Sequence, residues 1–488
     1  MTLLAELYRP ALALVTDLYQ LTMAQAYRRS GSADKEAVFH LFFRENPFDG
    51  GFAVACGLAR VVDFLSDFRF ASGDIAYLGS VTGNDDKPLF ARDFLEELEA
   101  LELGCDIDAV PEGTVVFPHE PLVRVRGPIL QAQLLETALL NAINFETLIA
   151  TKAARVCLAA RGDAVVDFGV RRAQGFDGGL SASRAAYVGG CAATSNVLAG
   201  RLLGIPVKGT HAHSWVMSFD SEREAFDAYA DAQPNNCVLL VDTYDSLDGV
   251  RRAVETGRRL RARGHDLAGI RLDSGDLAYL SVEARRLLDE AGFKDTAIVA
   301  SNELDEHVIA SLKQQRAAIT VWGVGTRLVT GGDEPALGGV YKLAAVRRPG
   351  ERWQHRVKVS EQAIKTTTPG IQQVRRFETP AGFLADVIYD EERGLDAEAV
   401  LVDPVDPTRR KRIPPDATGE DLLVPVARGG RIVCEPAALP AARERTRRQL
   451  ERLHAGIKRF VNPHQYPVGL SPELHELKTR LVLEARGL

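Results

Sequence analysis

One pattern constrains the fold of this 488-residue chain more than any other. In the middle of the chain, short apolar runs alternate with helical stretches, and each run ends in a polar or glycine-rich tip. The runs begin at Ala164, Val207, Val238, Gly269, Ala297 and Val321. Continuous Val, Ile and Leu runs are typical of strands covered on both faces, and their alternation with helices predicts parallel β/α units. We therefore expect a (β/α) barrel, with an open parallel sheet as the alternative.

The segment before these β/α units has a different pattern of predicted helices and strands. Helical patterns at residues 1–30, 61–68 and 91–101 are mixed with β-like runs at 37–43 and 51–55. The first of these helices is expected to carry a broad apolar stripe formed by Leu14, Leu18, Leu21 and Met23. The stretch 113–126 alternates like a half-exposed antiparallel hairpin. Gln131 to Arg161 then predicts a long amphipathic helix or a helix pair.

The segment after the units is β-like and loop-rich over residues 356–435. A helix is predicted over about 440–459, and another begins at Ser471 and Pro472. The predicted fold class is therefore α/β. It comprises an N-terminal α+β domain (1–130), an irregular (β/α) barrel with the active site (131–355) and a C-terminal β-rich and helical extension (356–488) packing on the N-terminal domain.

Composition argues against several classes of protein. Lys and Arg total 59 against 66 Asp and Glu, so the chain lacks the basic surplus of a nucleic-acid-coating protein. The run Arg409–Arg412 is best explained as a solvated loop. The six cysteines form no C-x-x-C pair, which favours reduced thiols. Glu6, Arg9 and Asp17 stand where a signal peptide needs an apolar run, and no stretch is long enough to span a bilayer. We expect a soluble cytoplasmic protein.

Four of the strand tips carry residues suited to chemistry. In the first, Phe168 is followed by Gly169 and then Arg171. An aromatic ring offers a stacking plate, and an arginine fork matches carboxylate or phosphate. A core Phe168 with solvated arginines is an equally good explanation of this segment alone.

The second tip, from Gly209 to Trp215, holds His211 and His213. No Cys, Asp or Glu nearby completes a metal cluster, so a metal site is the weaker interpretation. A histidine beside a phosphate-binding tip can act as a nucleophile or phosphoryl acceptor, and we favour that function here.

The third tip places Arg271, Asp273 and Asp276 on a strand expected to be buried. Buried charges persist when they are paired or bind a ligand, so either a site or a structural Arg–Asp pair is expected. Asp242 and Asp245 are similar, although a helix N-cap explains at least one of them.

The fourth tip is Trp322-Gly-Val-Gly-Thr326. Glycines let backbone N–H groups approach phosphate oxygens, and phosphate sites recur in the last units of β/α barrels. Neither G-x-x-x-x-G-K-[ST] nor G-x-G-x-x-G after a strand is present, so no standard ATP or dinucleotide fold is indicated.

Taken together, the motifs resemble the nicotinate phosphoribosyltransferase family over nearly the whole chain. The resemblance rests on segments in a conserved order, beginning at Thr16, Phe42, Asp167, Ser195, Gly209, Arg271 and Gly323. It implies a homodimer with active sites at the subunit interface. It also implies that nicotinate and phosphoribosyl diphosphate give nicotinate mononucleotide and diphosphate, in a ligase-type reaction coupled to ATP hydrolysis for NAD biosynthesis.

The resemblance also implies roles for individual residues. Tyr19, lent by the second subunit, and Phe168 sandwich the pyridine ring, while Arg171, Thr210 and Arg271 contact nicotinate. His213 is phosphorylated from ATP, with Asp273 as the second catalytic residue, and Mg²⁺ binds with diphosphate. The loop that holds the 5-phosphate matches Gly323, Gly325 and Thr326. Three supporting residues match Asp17, Asn196 and Ser214. His211 has no implied role, and residues 386–435 have none either.

Three alternatives remain at this stage. A nicotinamide-using relative shares most motifs, but it carries an Asp near Asn196, and an acid there would repel the nicotinate carboxylate. A barrel hydrolase with a carboxylate pair could use Asp242, Asp273 or Asp276, although it leaves the ring-stacking and phosphate tips unexplained. A non-catalytic binding relative would keep Tyr19 and Arg271 and lose His213, which this chain retains.

Overall fold

The computed structural model describes residues 11–396 and 398–488. By internal contacts the chain divides into two compact units. Unit 1 comprises residues 1–148 and 336–488, and unit 2 comprises residues 149–335. No helix among the described residues combines the length and apolarity needed to cross a bilayer.

The first part of unit 1 mixes helices with short strands. Its helices are α1 (Leu18–Arg29), α2 (Leu58–Ser66), α3 (Ser72–Ser80), α4 (Arg92–Glu99), α5 (Ile129–Leu134) and α6 (Glu136–Ala160), the last of which contains the boundary between the units. Its strands are β1 (Glu36–Phe43), β2 (Ala53–Val54), β3 (Asp106–Ala109), β4 (Val115–Val116) and β5 (Val123–Pro128).

Unit 2 alternates strands and helices as predicted. Its strands are β6 (Ala164–Asp167), β7 (Ala193–Thr194), β8 (Val238–Leu240), β9 (Gly269–Leu272), β10 (Ala297–Ala300) and β11 (Val321–Val324). Its helices are α7 (Gly175–Val188), α8 (Val197–Leu203), α9 (His213–Met217), α10 (Glu222–Ala232), α11 (Ser246–Ala262), α12 (Leu277–Glu290), α13 (Glu306–Gln314) and α14 (Thr326–Val329).

The remainder of the chain returns to unit 1. Its strands are β12 (Gly339–Arg347), β13 (Gln354–His355), β14 (Gln372–Thr379), β15 (Gly382–Asp390), β16 (Val400–Val402), β17 (Arg410–Arg412), β18 (Thr418–Asp421), β19 (Val424–Arg428), β20 (Arg431–Ile432) and β21 (Val468–Leu470). Its helices are α15 (Leu439–Arg452) and α16 (Pro472–Ala485), the latter capped by the Ser471 hydroxyl.

The six strands of unit 2 are parallel, in the order β7-β6-β11-β10-β9-β8. A single parallel bridge from Thr194 to Val207 extends the sheet on the β7 side. Each strand is short and apolar, and helices follow it, which buries the strands as expected for β/α units. The predicted α/β class with an irregular barrel-like parallel core is confirmed. Val207 makes only this one bridge, however, and β7 was not predicted.

Unit 1 is built around two mainly antiparallel sheets. One has the order β13-β12-β1-β5-β3-β19-β20, and the other has the order β17-β16-β21-β15-β14-β18. Strand β12 pairs with β1, and β19 pairs with β3. The barrel segment predicted to extend to residue 355 is therefore too long, because β12 completes an N-terminal sheet.

Three local predictions need correction. The stretch 113–126 is not a hairpin, because β4 pairs with β2 while β5 pairs with β1 and β3. The helix predicted over residues 1–30 begins at Leu18, and residues 1–10 lie outside the described residues. Its proposed apolar stripe is also wrong, since Leu21 is buried but Leu18 and Met23 are exposed. All six cysteines, which lie within the described residues, are reduced thiols, as predicted.

Candidate active site

The polar tips lie at the carboxyl ends of the parallel strands of unit 2. Phe168 follows β6, Asp273 follows β9, and Gly325 follows β11. Strand β11 lies between β6 and β10, and β10 lies between β11 and β9. Because the carboxyl ends of parallel strands meet at one edge, these tips face a common region, where β/α proteins bind their ligands.

Asp167 holds the turn that presents Phe168. Its Oδ1 accepts the Gly169 N–H at 2.8 Å, and its Oδ2 accepts the hydroxyls of Ser183 at 2.8 Å and Thr194 at 2.7 Å. Burial raises the pKa of Asp167, while these three donors oppose that shift. The carboxylate is thus a fixed internal anchor for the turn after β6.

Gly323 makes room for the Phe168 ring. A Cβ at position 323 would lie 2.5 Å from two atoms of that ring, closer than carbon atoms can approach. At Gly325 the nearest atom to an added Cβ is the Phe168 carbonyl oxygen at 3.4 Å. Gly323 therefore positions the aromatic ring, while Gly325 and the half-buried Thr326 are the better placed members of the predicted phosphate loop.

Arg271 is a largely buried cation with an unused donor. Its Nη1 donates to the Thr210 hydroxyl and, at 3.3 Å, to the His211 carbonyl. Its Nε is buried and has no hydrogen-bond partner among the described residues. Burial lowers the pKa of Arg271 and the charge of Arg171 adds to that shift, while the charges of Asp273 and Asp242 oppose it. A desolvated guanidinium with a free N–H fits a planar anion such as a carboxylate.

His213 opens helix α9 beside two groups from neighbouring strand ends. Its Nδ1 lies 3.1 Å from Thr243 Oγ1, and its Nε2 lies 3.7 Å from Asp273 Oδ2. The second distance is too long for a hydrogen bond, so Nε2 is open to a reacting group. The Ser301 hydroxyl holds Asp273 through Oδ1. A histidine with one ring nitrogen held and the other open, beside an anchored carboxylate, is able to serve as a nucleophile in group transfer.

Asp242 braces the loop after β9. Its Oδ2 accepts the Asp273 N–H at 2.8 Å and the Ser274 hydroxyl at 2.7 Å. Its Oδ1 is buried and accepts no hydrogen bond from the described residues. The other acids of these tips are helix caps: Asp245 caps α11 and Asp276 caps α12. The cap at Asp245 confirms the prediction that at least one of these acids is an N-cap. Because Asp276 also serves as a cap, the hypothesis of a hydrolase with a carboxylate pair is weakened.

Asn196 is committed to internal hydrogen bonds. Its Oδ1 caps α8 by accepting the Ala199 N–H, and its Nδ2 donates to Ser183 Oγ at 3.2 Å. Ser183 in turn donates to Asp167. An acid at position 196 would lack the amide donor and add negative charge near Asp167. This internal effect is a different reason for the asparagine than repulsion of a substrate carboxylate.

Three residues of the predicted site make none of the strand-end contacts described above. Ser214 is exposed on α9. Asp17 and Tyr19 belong to unit 1, where Asp17 Oδ2 accepts the Thr137 hydroxyl at 2.9 Å. The Tyr19 side chain is 47% exposed at the start of α1. An exposed aromatic of this kind is available to an external ring.

Several residues that the structure makes prominent carry no motif that would single them out in the sequence. Thr243 contacts His213, and Ser301 holds Asp273. Their only sequence signal is a short polar residue after a strand, which is a weak indication of a site. A cationic cluster in unit 1, comprising Arg44, Lys342, Lys358 and Lys478, was also missed. Its members are far apart in sequence, so no local motif marks them.

The lysines of the cationic cluster are partly desolvated. Burial lowers the pKa of Lys478 to about 8. Burial, with the charges of Arg44 and Lys358, also lowers the pKa of Lys342, while the charge of Glu136 opposes that shift. The Arg44 Nε is buried without a hydrogen-bond partner among the described residues. Like charges held together in this way favour an anionic ligand.

Comparison with known proteins now decides the family. Three nicotinate phosphoribosyltransferase family descriptions match: the N-terminal domain over residues 14–144, the family itself over 164–368 and the C-terminal domain over 371–478. The chain belongs to the nicotinate phosphoribosyltransferase family. A nicotinate phosphoribosyltransferase of Bacillus subtilis is 40% identical, covering 96% of this chain and 97% of that protein.

Solved structures agree with this membership. The crystal structure of human nicotinic acid phosphoribosyltransferase superposes with a TM-score of 0.83 at 34% identity, covering 96% of this chain and 99% of that one. A nicotinate-nucleotide pyrophosphorylase from Pyrococcus furiosus has a TM-score of 0.69 at 21% identity, over 90% of this chain and 95% of that one. The second likeness concerns the fold alone. As a member of the nicotinate phosphoribosyltransferase family, the protein is an enzyme that transfers a phosphoribosyl group.

Proposed function

We propose that the protein joins nicotinate to 5-phosphoribosyl 1-diphosphate, releasing nicotinate mononucleotide and diphosphate for NAD biosynthesis in the cytoplasm. The observation that carries this proposal is Arg271, whose buried guanidinium has an unused Nε donor at the same sheet edge as Phe168. A ring bearing a carboxylate uses both features at once. The family membership supports the same substrate.

Nicotinate binds by its ring and by its carboxylate. Phe168 stacks on one face of the pyridine, and Tyr19 covers the other; such stacking is worth about 0.5–1.5 kcal/mol beyond area burial. Arg271 and Arg171 attract the carboxylate, and the Thr210 hydroxyl, which accepts from Arg271 and donates to the His211 carbonyl, holds the guanidinium in place. The ring nitrogen then attacks C1 of the ribose, the new C–N bond forms, and the C–O bond to diphosphate breaks.

Phosphoribosyl diphosphate lies across the strand ends between β11 and β9. Backbone N–H groups at Gly325 and Thr326, with Gly323 behind them, hold the 5-phosphate. Asp242 and Asp273 fit Mg²⁺, because Asp242 Oδ1 is a buried carboxylate oxygen without a donor, and Mg²⁺ prefers such oxygen ligands. When bound with diphosphate, Mg²⁺ stabilises the departing negative charge.

His213 couples the reaction to ATP. When Nδ1–H donates to Thr243, the Nε2 lone pair is free to attack the γ-phosphorus of ATP. An N–P bond forms, the P–O bond to ADP breaks, and water later takes the phosphoryl group as phosphate. The adjacent Asp273 carboxylate repels a phosphoryl group, so the phosphorylated state is a high-energy form whose hydrolysis can drive nucleotide synthesis. Each 1.4 kcal/mol of coupling shifts the equilibrium about tenfold.

The active enzyme is a homodimer in which a second copy lends Tyr19. Helix α8 exposes Val197, Leu198 and Leu202, and α1 exposes Leu18 beside Tyr19. Apolar side chains grouped on a helix mark an interaction surface.

The proposal is tested by incubating the protein with phosphoribosyl diphosphate and Mg²⁺, offering nicotinate and nicotinamide separately, with and without ATP. Mononucleotide and ADP are quantified. Nicotinate mononucleotide with an ATP-dependent gain is the expected result, and His213→Ala should remove the gain. Nicotinamide mononucleotide as the main product would instead support the sister activity, and no nucleotide from either base would refute the proposed function.

A further inference from the structure

The parallel sheet of unit 2 has one gap, and a histidine side chain fills it. In residues 149–335, all of which the structure describes, no ladder joins β8 to the bridged segment at Val207. The Val241 N–H donates to Arg271 in β9, so the preceding N–H of Leu240 points to the opposite, open edge. That N–H donates to His211 Nε2 at 3.2 Å.

This hydrogen bond fixes the chemical form of the His211 ring. An Nε2 that accepts must be unprotonated, so the neutral ring carries its proton on Nδ1. Nδ1 lies 3.3 Å from the Ala212 carbonyl oxygen, which can accept it. The residue is 8% exposed, and burial together with the nearby charge of Arg271 lowers the pKa of His211 to about 4.

The same residue is held from its other sides. The His211 ring packs edge-on against Tyr229 of α10 with ring centroids 4.7 Å apart. Its carbonyl oxygen accepts from Arg271 at 3.3 Å and from the Thr210 hydroxyl at 3.1 Å. Ala212, which follows, precedes the first residue of α9, and its carbonyl accepts the Trp215 N–H at 3.1 Å. The loop between Thr210 and His213 is therefore tied through position 211.

Closing the gap at this point determines where His213 lies. Leu240 ends β8, and Thr243, which contacts His213 Nδ1, is three residues further on. The His211 ring thus ties the loop that carries His213 to the strand that carries its hydrogen-bond partner. A shift of about 1 Å in a reacting group can lower a rate by about 100-fold.

We propose that His211 is a positioning residue: its neutral imidazole replaces the missing main-chain ladder bond to Leu240 and holds His213 in register with Thr243 and Asp273. The proposal rests on the proposed function of His213 for its catalytic consequence. It assigns a role within the site to a residue for which the sequence motifs imply none.

The test compares two substitutions that differ in one property. His211→Gln retains a side-chain acceptor near the Nε2 position, whereas His211→Leu removes it and leaves the Leu240 N–H unpaired. His265→Leu, which removes a half-buried histidine elsewhere in unit 2, is the matched control. Each variant is assayed well below its melting temperature for nucleotide formed with and without ATP, and for ATP hydrolysed per nucleotide.

We expect His211→Leu to reduce the ATP-dependent gain by about 10- to 100-fold more than it reduces the ATP-independent rate. His211→Gln should restore most of the gain, and His265→Leu should leave it unchanged. Equal losses of both rates in His211→Leu, or no rescue by glutamine, would overturn the positioning role.

A second measurement does not depend on activity. Long-range ¹⁵N–¹H spectra of the histidine-labelled full-length protein should show His211 protonated on Nδ1 only. The ring signals of His213, identified from His213→Ala, should shift in His211→Leu and stay in place in His211→Gln. Protonation of His211 on Nε2, or unmoved His213 signals in the leucine variant, would refute the proposal. If wild type shows no ATP-dependent gain but these spectra are as expected, the proposed ATP coupling through His213 fails and the positioning role stands.

Discussion

At the scale of single residues, the site combines side chains that are fully engaged with a few that are not. Asp167 receives three hydrogen bonds, and both polar ends of Asn196 are used. Arg271 and Asp242 each retain one buried atom without a partner among the described residues. Leaving such atoms unpaired costs free energy, and at these two strand-end residues a bound ligand can complete them.

Arg271→Ala should raise KM for nicotinate. Loss of a charged hydrogen bond costs about 1.5–3 kcal/mol, which corresponds to a rise of about 10- to 150-fold. Steady-state kinetics with varied nicotinate measures the effect. Arg258→Ala, which removes an exposed arginine of α11, is the control and should leave KM unchanged. An unaltered nicotinate KM in Arg271→Ala would remove that residue from the carboxylate site.

Gly323→Ala should weaken nicotinate binding through the Phe168 ring. The added methyl group would lie 2.5 Å from the ring, so the ring must move. We expect nicotinate KM to rise by about 2- to 10-fold, since stacking is worth about 0.5–1.5 kcal/mol. The matched control is Gly178→Ala in α7, where an added Cβ meets no atom within 4 Å. If Gly323→Ala and Gly178→Ala gave the same KM, the ring would not depend on Gly323.

At the scale of elements, β8 depends on a side chain to satisfy its outer edge, and this predicts a pH-dependent stability. The groups facing His211 are Arg271 from β9, Tyr229 from α10 and His213 from its own loop. The folded pKa of His211 is about 4, below the ordinary 6.5, so the unfolded chain binds a proton first as pH falls. The contribution of His211 to the free energy of unfolding is therefore complete above pH 6.5 and is lost as the pH falls from 6.5 to 4.

The His211→Gln variant isolates this contribution. Wild type should lose up to about 3 kcal/mol more unfolding free energy than His211→Gln between pH 7 and pH 4. Urea denaturation at several pH values measures the difference, with His265→Leu as the control that should follow wild type. Parallel curves for wild type and His211→Gln would show that the ring is not held neutral by the fold.

The elements also show what the sequence can and cannot predict. Five of the six predicted apolar runs of unit 2 form strands, because a continuous Val, Ile and Leu run has few alternatives to a buried strand. Val207 makes one bridge instead, and the two-residue strand β7 is too short to produce a pattern. The hairpin predicted over residues 113–126 was wrong because alternation predicts a strand but not its neighbour.

For the site, the sequence analysis found the residues carried by local motifs. Phe168, Arg271, His213 and Asp273 lie at adjoining strand ends, where the order of the strands brings them to one edge. Thr243 and Ser301 were missed because a hydroxyl gains meaning only from the side chain that it contacts. The role of Gly323 in making room for the Phe168 ring was hidden for the same reason, since this contact joins two strands distant in sequence.

At the scale of the whole molecule, unit 1 is assembled from both ends of the chain. Strand β19 pairs with β3, and Arg428 of β19 forms an ion pair with the buried Asp108, which also binds Arg124 at 2.8 Å. The C-terminal segment therefore completes the N-terminal sheets, which gives residues 386–435 a structural role that no local motif revealed. Tyr19 lies in this unit, and its proposed function requires the barrel of another copy.

A dimer that shares Tyr19 predicts complementation between two defective chains. Tyr19→Ala and His213→Ala chains, coexpressed with different affinity tags, are purified as the mixed dimer. One of its two sites then combines an intact Tyr19 from one chain with an intact His213 from the other, so ATP-dependent synthesis should recover to about half of the wild-type rate. A Tyr19→Ala dimer carrying both tags is the control and should stay impaired. If Tyr19 served the barrel of its own chain, neither site of the mixed dimer would be complete, and its rate would equal the mean of the two parent dimers.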